Sequence, residues 1–288
     1  MKRRRNAARK ARPAAAAKSS VTRRAHSRIH PTAIVDAKAR LHGTVEVGPY
    51  SIIGAGVEVG EGSWIGPHVV LRGPMTVGRE NRIFQFASIG ELSQDKTATP
   101  EQPTCVVIGD GNVIREYVSI QRGTMKEYEQ KRGATRIGNR NWIMNYCHIA
   151  HDCVVGSDTI FANNASLAGH VEIGDFVILG GYTLVYQHCR IGAHAFTAFS
   201  AGLAGDVPPF VTVQGNPAEP RAVNKEGLRR RNFSPDEIER IEEAYKLIYR
   251  SGKLMSEVKA ELARTALQSP AVKLMSDFLA SGKRPLAR

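Results

Sequence analysis

Hydrophobic positions along this chain recur with a period that is neither the 3.6 of a helix nor the 2 of an amphipathic strand. From residue 35 an aliphatic side chain stands at every sixth position: Val35, Leu41, Val47, Ile53, Val59, Ile65, Leu71, Val77, Ile83 and Ile89. Glycine follows several of them, as Gly48, Gly54, Gly60, Gly66, Gly78 and Gly90. The beat stops over residues 91–104, "ELSQDKTATPEQPT", and returns as Ile108, Ile114 and Ile120. It stops again over 122–135, "RGTMKEYEQKRGAT". It then runs through Ile137, Ile143, Ile149, Val155, Phe161, Leu167, Ile173, Leu179, Val185 and Ile191, with Thr197 a weak member and Leu203 the last.

A six-residue beat predicts short flat strands joined by turns, three to a coil, stacked as a parallel β-helix. One aliphatic side chain per hexad points inward. The glycine after it suits a corner that needs either positive φ or close backbone approach. Residues eighteen apart then stack, about 4.8 Å apart along the axis. The two interruptions predict surface loops, and loops longer than about twelve residues in a tight scaffold are usually functional.

The beat fades at "DVPPFVTVQGNPAEP", and helical signals follow. "SPDEIERIEEAYKLIYRSG" places Ser234 as N-cap, Pro235 at the first helical position, Glu237 in a capping box and Gly252 as the stop. Further helices are predicted over 256–267 and from Pro270 to just before Gly282. The predicted organisation is a tail over 1–28, a parallel β-helix over 29–220 with loops at 91–104 and 122–135, and a small helical domain over 221–288.

Charge changes the picture at one end only. The chain of 288 residues carries a net +13. Residues 1–28 hold eleven Lys/Arg and no acid, which leaves 29 bases against 27 acids, a net +2, for the body. The body is therefore a poor candidate for nucleic-acid binding. The tail is low in complexity and reads as disordered, with an upstream start or an organelle transit peptide as alternative readings. No run of eighteen apolar residues exists, so no transmembrane segment is expected. Cys105, Cys147, Cys153 and Cys189 form no C-x-x-C pair, which fits free thiols in a reducing cytoplasm.

Candidate chemistry centres on "CHIAHDC", residues 147–153. Imidazole titrates near neutrality and is the natural general base, and a neighbouring carboxylate can orient it. His148, His151 and Asp152 are the candidates. Adjacent strand residues face opposite ways, so Asp152 either orients His151, binds substrate or holds a loop. Adding eighteen to 151 gives Gly169, and eighteen more gives Gln187. A glycine beside His151 leaves a peptide N–H accessible. His42, His68 and His194 are read as packing or surface residues, and His188 likewise, less firmly. His148, His151 and His170 could in principle hold zinc.

The hexads, together with "HPTAIV", "FQFASIGE", "HIAHDC", "ANNASLAGHVEIGDF", "DVPPFV", "QGN" and "AYKLIYRSG", resemble the UDP-N-acetylglucosamine O-acyltransferase family of the left-handed β-helix hexapeptide-repeat acyltransferases. The resemblance runs from about residue 29 to the C-terminus. It implies an all-β left-handed parallel β-helix followed by a small C-terminal α-helical domain. It implies transfer of a (3R)-hydroxyacyl group from acyl carrier protein to the 3-hydroxyl of UDP-N-acetylglucosamine, the first step of lipid A synthesis, in a cytoplasmic homotrimer with active sites between subunits. It implies no metal and no cofactor beyond the carrier thioester. Residue by residue, it makes His151 the base and the Gly169 N–H the oxyanion donor. It gives His148, His170, Gln187, Gln94 and Asp95 to substrate, Asn224 and Glu226 to the nucleotide, and Arg230 and Arg231 to its pyrophosphate. Tyr186 and Phe199 fall at the acyl groove; Phe199, where relatives can carry Gly, implies a shorter acyl chain. Alternative readings are another hexapeptide-repeat sugar acyl- or acetyltransferase, acylation of a 3-amino UDP-sugar analogue, and a catalytically silent scaffold.

Overall fold

The structure, a computed structural model, describes residues 28–125 and 133–288. The basic tail up to residue 27 and the centre of the second loop lie outside the described residues. Strands of two to four residues succeed one another from Ile34–Val35 to Val211–Gln214 and wind into a left-handed parallel β-helix. Its three faces are parallel sheets. Face 1 starts at Ile34–Val35, face 2 at Arg40–Leu41 and face 3 at Glu46–Val47. A final strand, Glu219–Val223, turns back antiparallel onto Val211–Gln214 and extends face 3.

The register follows the hexads. Ile34 pairs with Ile52, and His148 with Ser166, eighteen residues apart. The two loops lengthen single coils: Ser88 pairs with Ser119, and Ser119 with His148. The inward residues form one continuous core. Ile53, Ile65, Leu71, Ile83, Ile114, Ile149, Phe161 and Leu179 are all fully enclosed. Each such side chain contributes roughly 1.5–3 kcal/mol by leaving water.

The corners divide two jobs between two residues. Most glycines that follow the inward aliphatic have ordinary φ; they are needed for close approach. A β-carbon on Gly48 would lie 2.7 Å from the Gly66 carbonyl carbon, in the next coil. Positive φ falls two residues later, on non-glycines such as Tyr50, Tyr117, Asp152, His170 and His188. The left-handed conformation costs roughly 1–2 kcal/mol per residue. Ring stacking along the edge between faces 3 and 1 offsets part of it: Tyr50, His68, Phe86, Tyr117 and Tyr146 form a continuous ladder with centroid spacings of 4.9–5.3 Å.

Four α-helices complete the described chain: α1 (Lys225–Arg230), α2 (Pro235–Tyr249), α3 (Met255–Thr265) and α4 (Pro270–Ser281). The Ser234 hydroxyl accepts the Glu237 N–H at 3.2 Å, and Glu237 accepts the Ser234 N–H at 2.8 Å, the reciprocal box that starts α2. Asn224 caps α1 through the Gly227 N–H. Arg190 fastens α4 to the β-helix: its guanidinium pairs with Asp206 at 2.9 Å, donates to the Phe278 carbonyl at 3.0 Å and lies over the Phe278 ring. Among the described residues no helix is long and apolar enough to cross a membrane.

Candidate active site

His151 and Asp152 stand at the corner where face 1 turns into face 2. Asp152 has φ of 59°, so the pair is not extended strand, and the two side chains meet. His151 Nδ1 lies 3.0 Å from Asp152 Oδ2. An ionised carboxylate only accepts, so Nδ1 carries the proton and Nε2 is left as the basic nitrogen. Asp152 also holds the second loop: its oxygens accept the Thr124 N–H at 2.9 and 3.1 Å and the Thr124 hydroxyl at 2.6 Å. Of the roles open to Asp152 in the sequence, it performs two, facing the imidazole and anchoring a loop. Burial alone would raise its carboxyl. The hydrogen bonds from His151 and Thr124, with the charge of His170, outweigh that and hold it below the ordinary carboxylate value.

One coil further, Gly169 lies directly against the imidazole. The stack is fixed by the backbone: His170 N–H donates to the His151 carbonyl, and His188 N–H to the Gly169 carbonyl. The Gly169 N–H itself makes no hydrogen bond among the described residues. Both residues line a cavity of about 730 Å³ over face 1. Gln94, Asp95, His148, Tyr186 and Gln187 share that lining. His148 has Nδ1 2.7 Å from the Ser119 hydroxyl, and burial first, then the neighbouring His151, pushes its pKa down, which favours the neutral ring. His170 is not in the lining; it stands edge-on to His151 with centroids 4.9 Å apart and stacks on His188 at 4.5 Å.

The expected nucleotide residues are elsewhere. Asn224, Glu226, Arg230 and Arg231 line a second cavity of about 870 Å³ whose floor is the face 3 residues Ile160, Ile178, Phe196 and Thr212. The two cavities share no residue. Arg230 pairs with Glu226 at 3.0 Å, while Arg231 is half-buried over the Phe176 ring. Asn224 also donates to the His194 carbonyl, so its amide ties α1 to the β-helix. Phe199 lies outside both linings, 70% exposed beside Tyr182 on the edge between faces 3 and 1.

The histidines read as packing residues differ in their surroundings. His68 belongs to the aromatic ladder, and His194 is buried between Phe176 and Phe210. Cys147, Cys153 and Cys189 are buried free thiols; burial raises Cys147 and Cys153 to about 12, so neither is a nucleophile near neutrality. The ligand atoms of His151, Asp152 and His170 lie within 4.8 Å of one another. They fit a cation poorly, since both Asp152 oxygens already accept hydrogen bonds and His151 Nδ1 is a donor. Sequence arithmetic missed Ser119, Gln121, Thr124 and Thr135, because the loop insertions break the eighteen-residue step that would have placed them.

An imidazole packed against a glycine beside an open cleft on a hexapeptide-repeat β-helix fits an acyltransferase of that class. The chain belongs to the UDP-N-acetylglucosamine O-acyltransferase family. Residues 206–287 match the family described as UDP N-acetylglucosamine O-acyltransferase, domain 2, and residues 134–169 match the bacterial transferase hexapeptide repeats. The acyl-[acyl-carrier-protein]–UDP-N-acetylglucosamine O-acyltransferase of Janthinobacterium sp. (strain Marseille) is 53% identical over 266 residues, covering 91% of this chain and 100% of the relative. That of Halorhodospira halophila is 53% identical over 262 residues, with the same coverage. Among solved structures, the enzyme of Moraxella catarrhalis superposes with a TM-score of 0.87 at 42% identity, covering 91% of this chain and 100% of that one.

Proposed function

We propose that His151 takes the proton from a sugar hydroxyl as that oxygen attacks the thioester of an acylated carrier protein. The chain is an acyl-[acyl-carrier-protein]–UDP-N-acetylglucosamine O-acyltransferase. The observation that carries the mechanism is the pairing of the His151 imidazole with the unbonded Gly169 N–H in one cavity. Base and oxyanion donor then flank a single carbonyl. The proton leaves through Nε2, the carbonyl oxygen gains charge against the Gly169 N–H, and the thiolate of the carrier leaves and is reprotonated by the imidazolium. The acyl group is (3R)-hydroxyacyl, the acceptor is the 3-hydroxyl, and the product enters lipid A synthesis in the cytoplasm.

The acceptor needs two faces at once. The His151 cavity covers face 1 and the Asn224–Arg231 cavity covers face 3, so one chain holds the halves apart. A cyclic trimer with face 1 of each copy against face 3 of the next joins them. The outward residues support this. Face 2 presents Arg40, Glu58, Thr76, Val107, Arg136, Val154, Glu172 and Arg190, and the first two are ion-paired. The other faces and their shared edge expose Trp142, Leu184, Tyr50, Phe86, Tyr117, Tyr146 and Tyr182, an apolar surface unlike that of a monomer. Lys259, Arg284 and Arg288 line a cleft of about 240 Å³ beside α3 and α4 and offer positive charge to an acidic carrier. In that trimer Phe199, exposed on the edge between faces 3 and 1, meets the neighbouring copy at the end of the acyl groove and shortens the chain accepted.

Incubating the purified chain with (3R)-hydroxyacyl carrier protein and UDP-N-acetylglucosamine tests this reading. A mono-acylated sugar nucleotide is expected with wild-type protein, and at least about 100-fold less with His151→Ala. Turnover with acetyl-CoA but not with the carrier thioester would overturn it.

A further inference from the structure

The second loop leaves the β-helix at Gln121 and rejoins it at Ala134, and both of its ends close on one residue. On the leaving side, the Thr124 N–H and hydroxyl donate to the Asp152 carboxylate, the hydroxyl at 2.6 Å. On the returning side, the Thr135 hydroxyl accepts the Asp152 backbone N–H at 2.9 Å. Thr124, Thr135 and Asp152 are all buried, at 2%, 0% and 2% exposure. Gly123 makes the closure possible. A β-carbon there would lie 2.7 Å from Asp152 Oδ1 and 2.3 Å from the Ala134 nitrogen.

A carboxylate can face an imidazole in many rotations, and only one places an oxygen on the Nδ1–H vector. The Thr124 hydroxyl and His151 Nδ1 share Oδ2, so the hydroxyl fixes which oxygen meets the ring and at what angle. Orientation of this kind is a large effect where a histidine must present one nitrogen to substrate. Thr124 is far from substrate by contact: it is absent from the lining of the cavity that holds His151.

We propose that Thr124 and Thr135 are positioning residues for acyl transfer: the base of the second loop clamps Asp152 so that Asp152 holds His151 with Nε2 facing the cavity. The proposal rests on the acyltransferase reading above, with His151 as base. It predicts a loss in the chemical step and not in substrate binding, because neither threonine touches the cavity.

The experiment compares Thr124→Val, which keeps the shape and the N–H but removes the hydroxyl, with Thr124→Ser, which restores the hydroxyl. Thr135→Val provides the second arm of the clamp. For Thr124→Val, kcat is expected to fall about 10- to 100-fold with KM for both substrates within about twofold. Thr124→Ser is expected to recover most of that loss. A second readout needs no turnover: in ¹⁵N-histidine-labelled protein, the His151 ring should shift from predominantly Nδ1–H toward mixed tautomers in Thr124→Val and return in Thr124→Ser. Retained wild-type kcat in Thr124→Val, a loss confined to KM, or an unchanged His151 tautomer would each overturn the clamp. Wild-type protein without turnover on the carrier thioester would instead sink the acyltransferase reading, and the tautomer measurement would still decide the clamp.

Discussion

A β-carbon built on Gly169 would lie 2.4 Å from Cε1 and 2.6 Å from Nε2 of His151, so the imidazole occupies the space that any other residue at 169 would need. Glycine is required here by contact, since its φ is not in the left-handed region. Gly169→Ala should push the ring off its line to the peptide N–H. Displacements near 1 Å at a reacting group cost about 100-fold in rate, and that is the expected fall in kcat. Steady-state kinetics beside a thermal melt check it; a fully active, normally folded Gly169→Ala protein would refute the stacking argument.

The separation of the two cavities onto faces 1 and 3 predicts complementation between defective chains. His151→Ala and Arg231→Ala should each be nearly inactive alone. Mixed by co-expression, they should recover about a quarter of wild-type activity, because one interface in four combines an intact His151 with an intact Arg231. Activity that stays at the level of the single variants in verified mixed trimers would place both halves of the site on one chain.

His194 should make folding stability depend on pH in the weakly acid range. Burial first, and then the Arg231 guanidinium, lower it to about 4, with Asp175 opposing. In the unfolded chain it titrates near ~6.5, so below that pH the unfolded state binds a proton the folded state refuses. The stability contribution is present above pH ~6.5 and is lost as pH falls toward 4, by up to about 3 kcal/mol. Urea unfolding at a series of pH values should show this loss, and His194→Gln should flatten it. An equal slope in both proteins would contradict the assignment.

Phe199 should set the length of the acyl chain. Its ring stands on the edge beside Tyr182, where face 1 of one copy would meet its neighbour. Wild-type product should carry chains shorter than about 14 carbons, and Phe199→Gly should shift selectivity toward longer donors, with about 1–3 kcal/mol of discrimination at stake per methylene. Mass spectrometry of products from a mixed donor pool reads the ratio. Dominant ~14-carbon product from wild-type protein would remove Phe199 from this role.

Much of this molecule is written locally. Within each run every sixth residue from Val35 points inward, so strand positions, the eighteen-residue register and the meeting of His151 with Gly169 follow from counting; a second enclosed position two residues earlier, as at Val57, Val69, Val118, Cys147 and Ala165, varies too much in residue type to show as a beat. A partial signal lay in the same hexads: the residue before each inward position is mostly charged on face 2 (Arg40, Glu58, Arg136, Glu172, Arg190) and mostly apolar on face 3 (Trp64, Val113, Trp142, Ile160, Ile178, Phe196). The helix starts were legible for the same reason, since capping at Ser234 is a contact between near neighbours. Tertiary structure alone decided what depends on the loops and on the spacing between faces. Ser119 beneath His148 and Thr124 on Asp152 are 29 and 28 residues from their partners, separations set by inserted chain that obeys no period. The orientation of Asp152 toward His151 came from a left-handed corner that alternation of strand residues cannot express. The distance between the two cavities is a property of the prism's faces, and no sequence spacing encodes it.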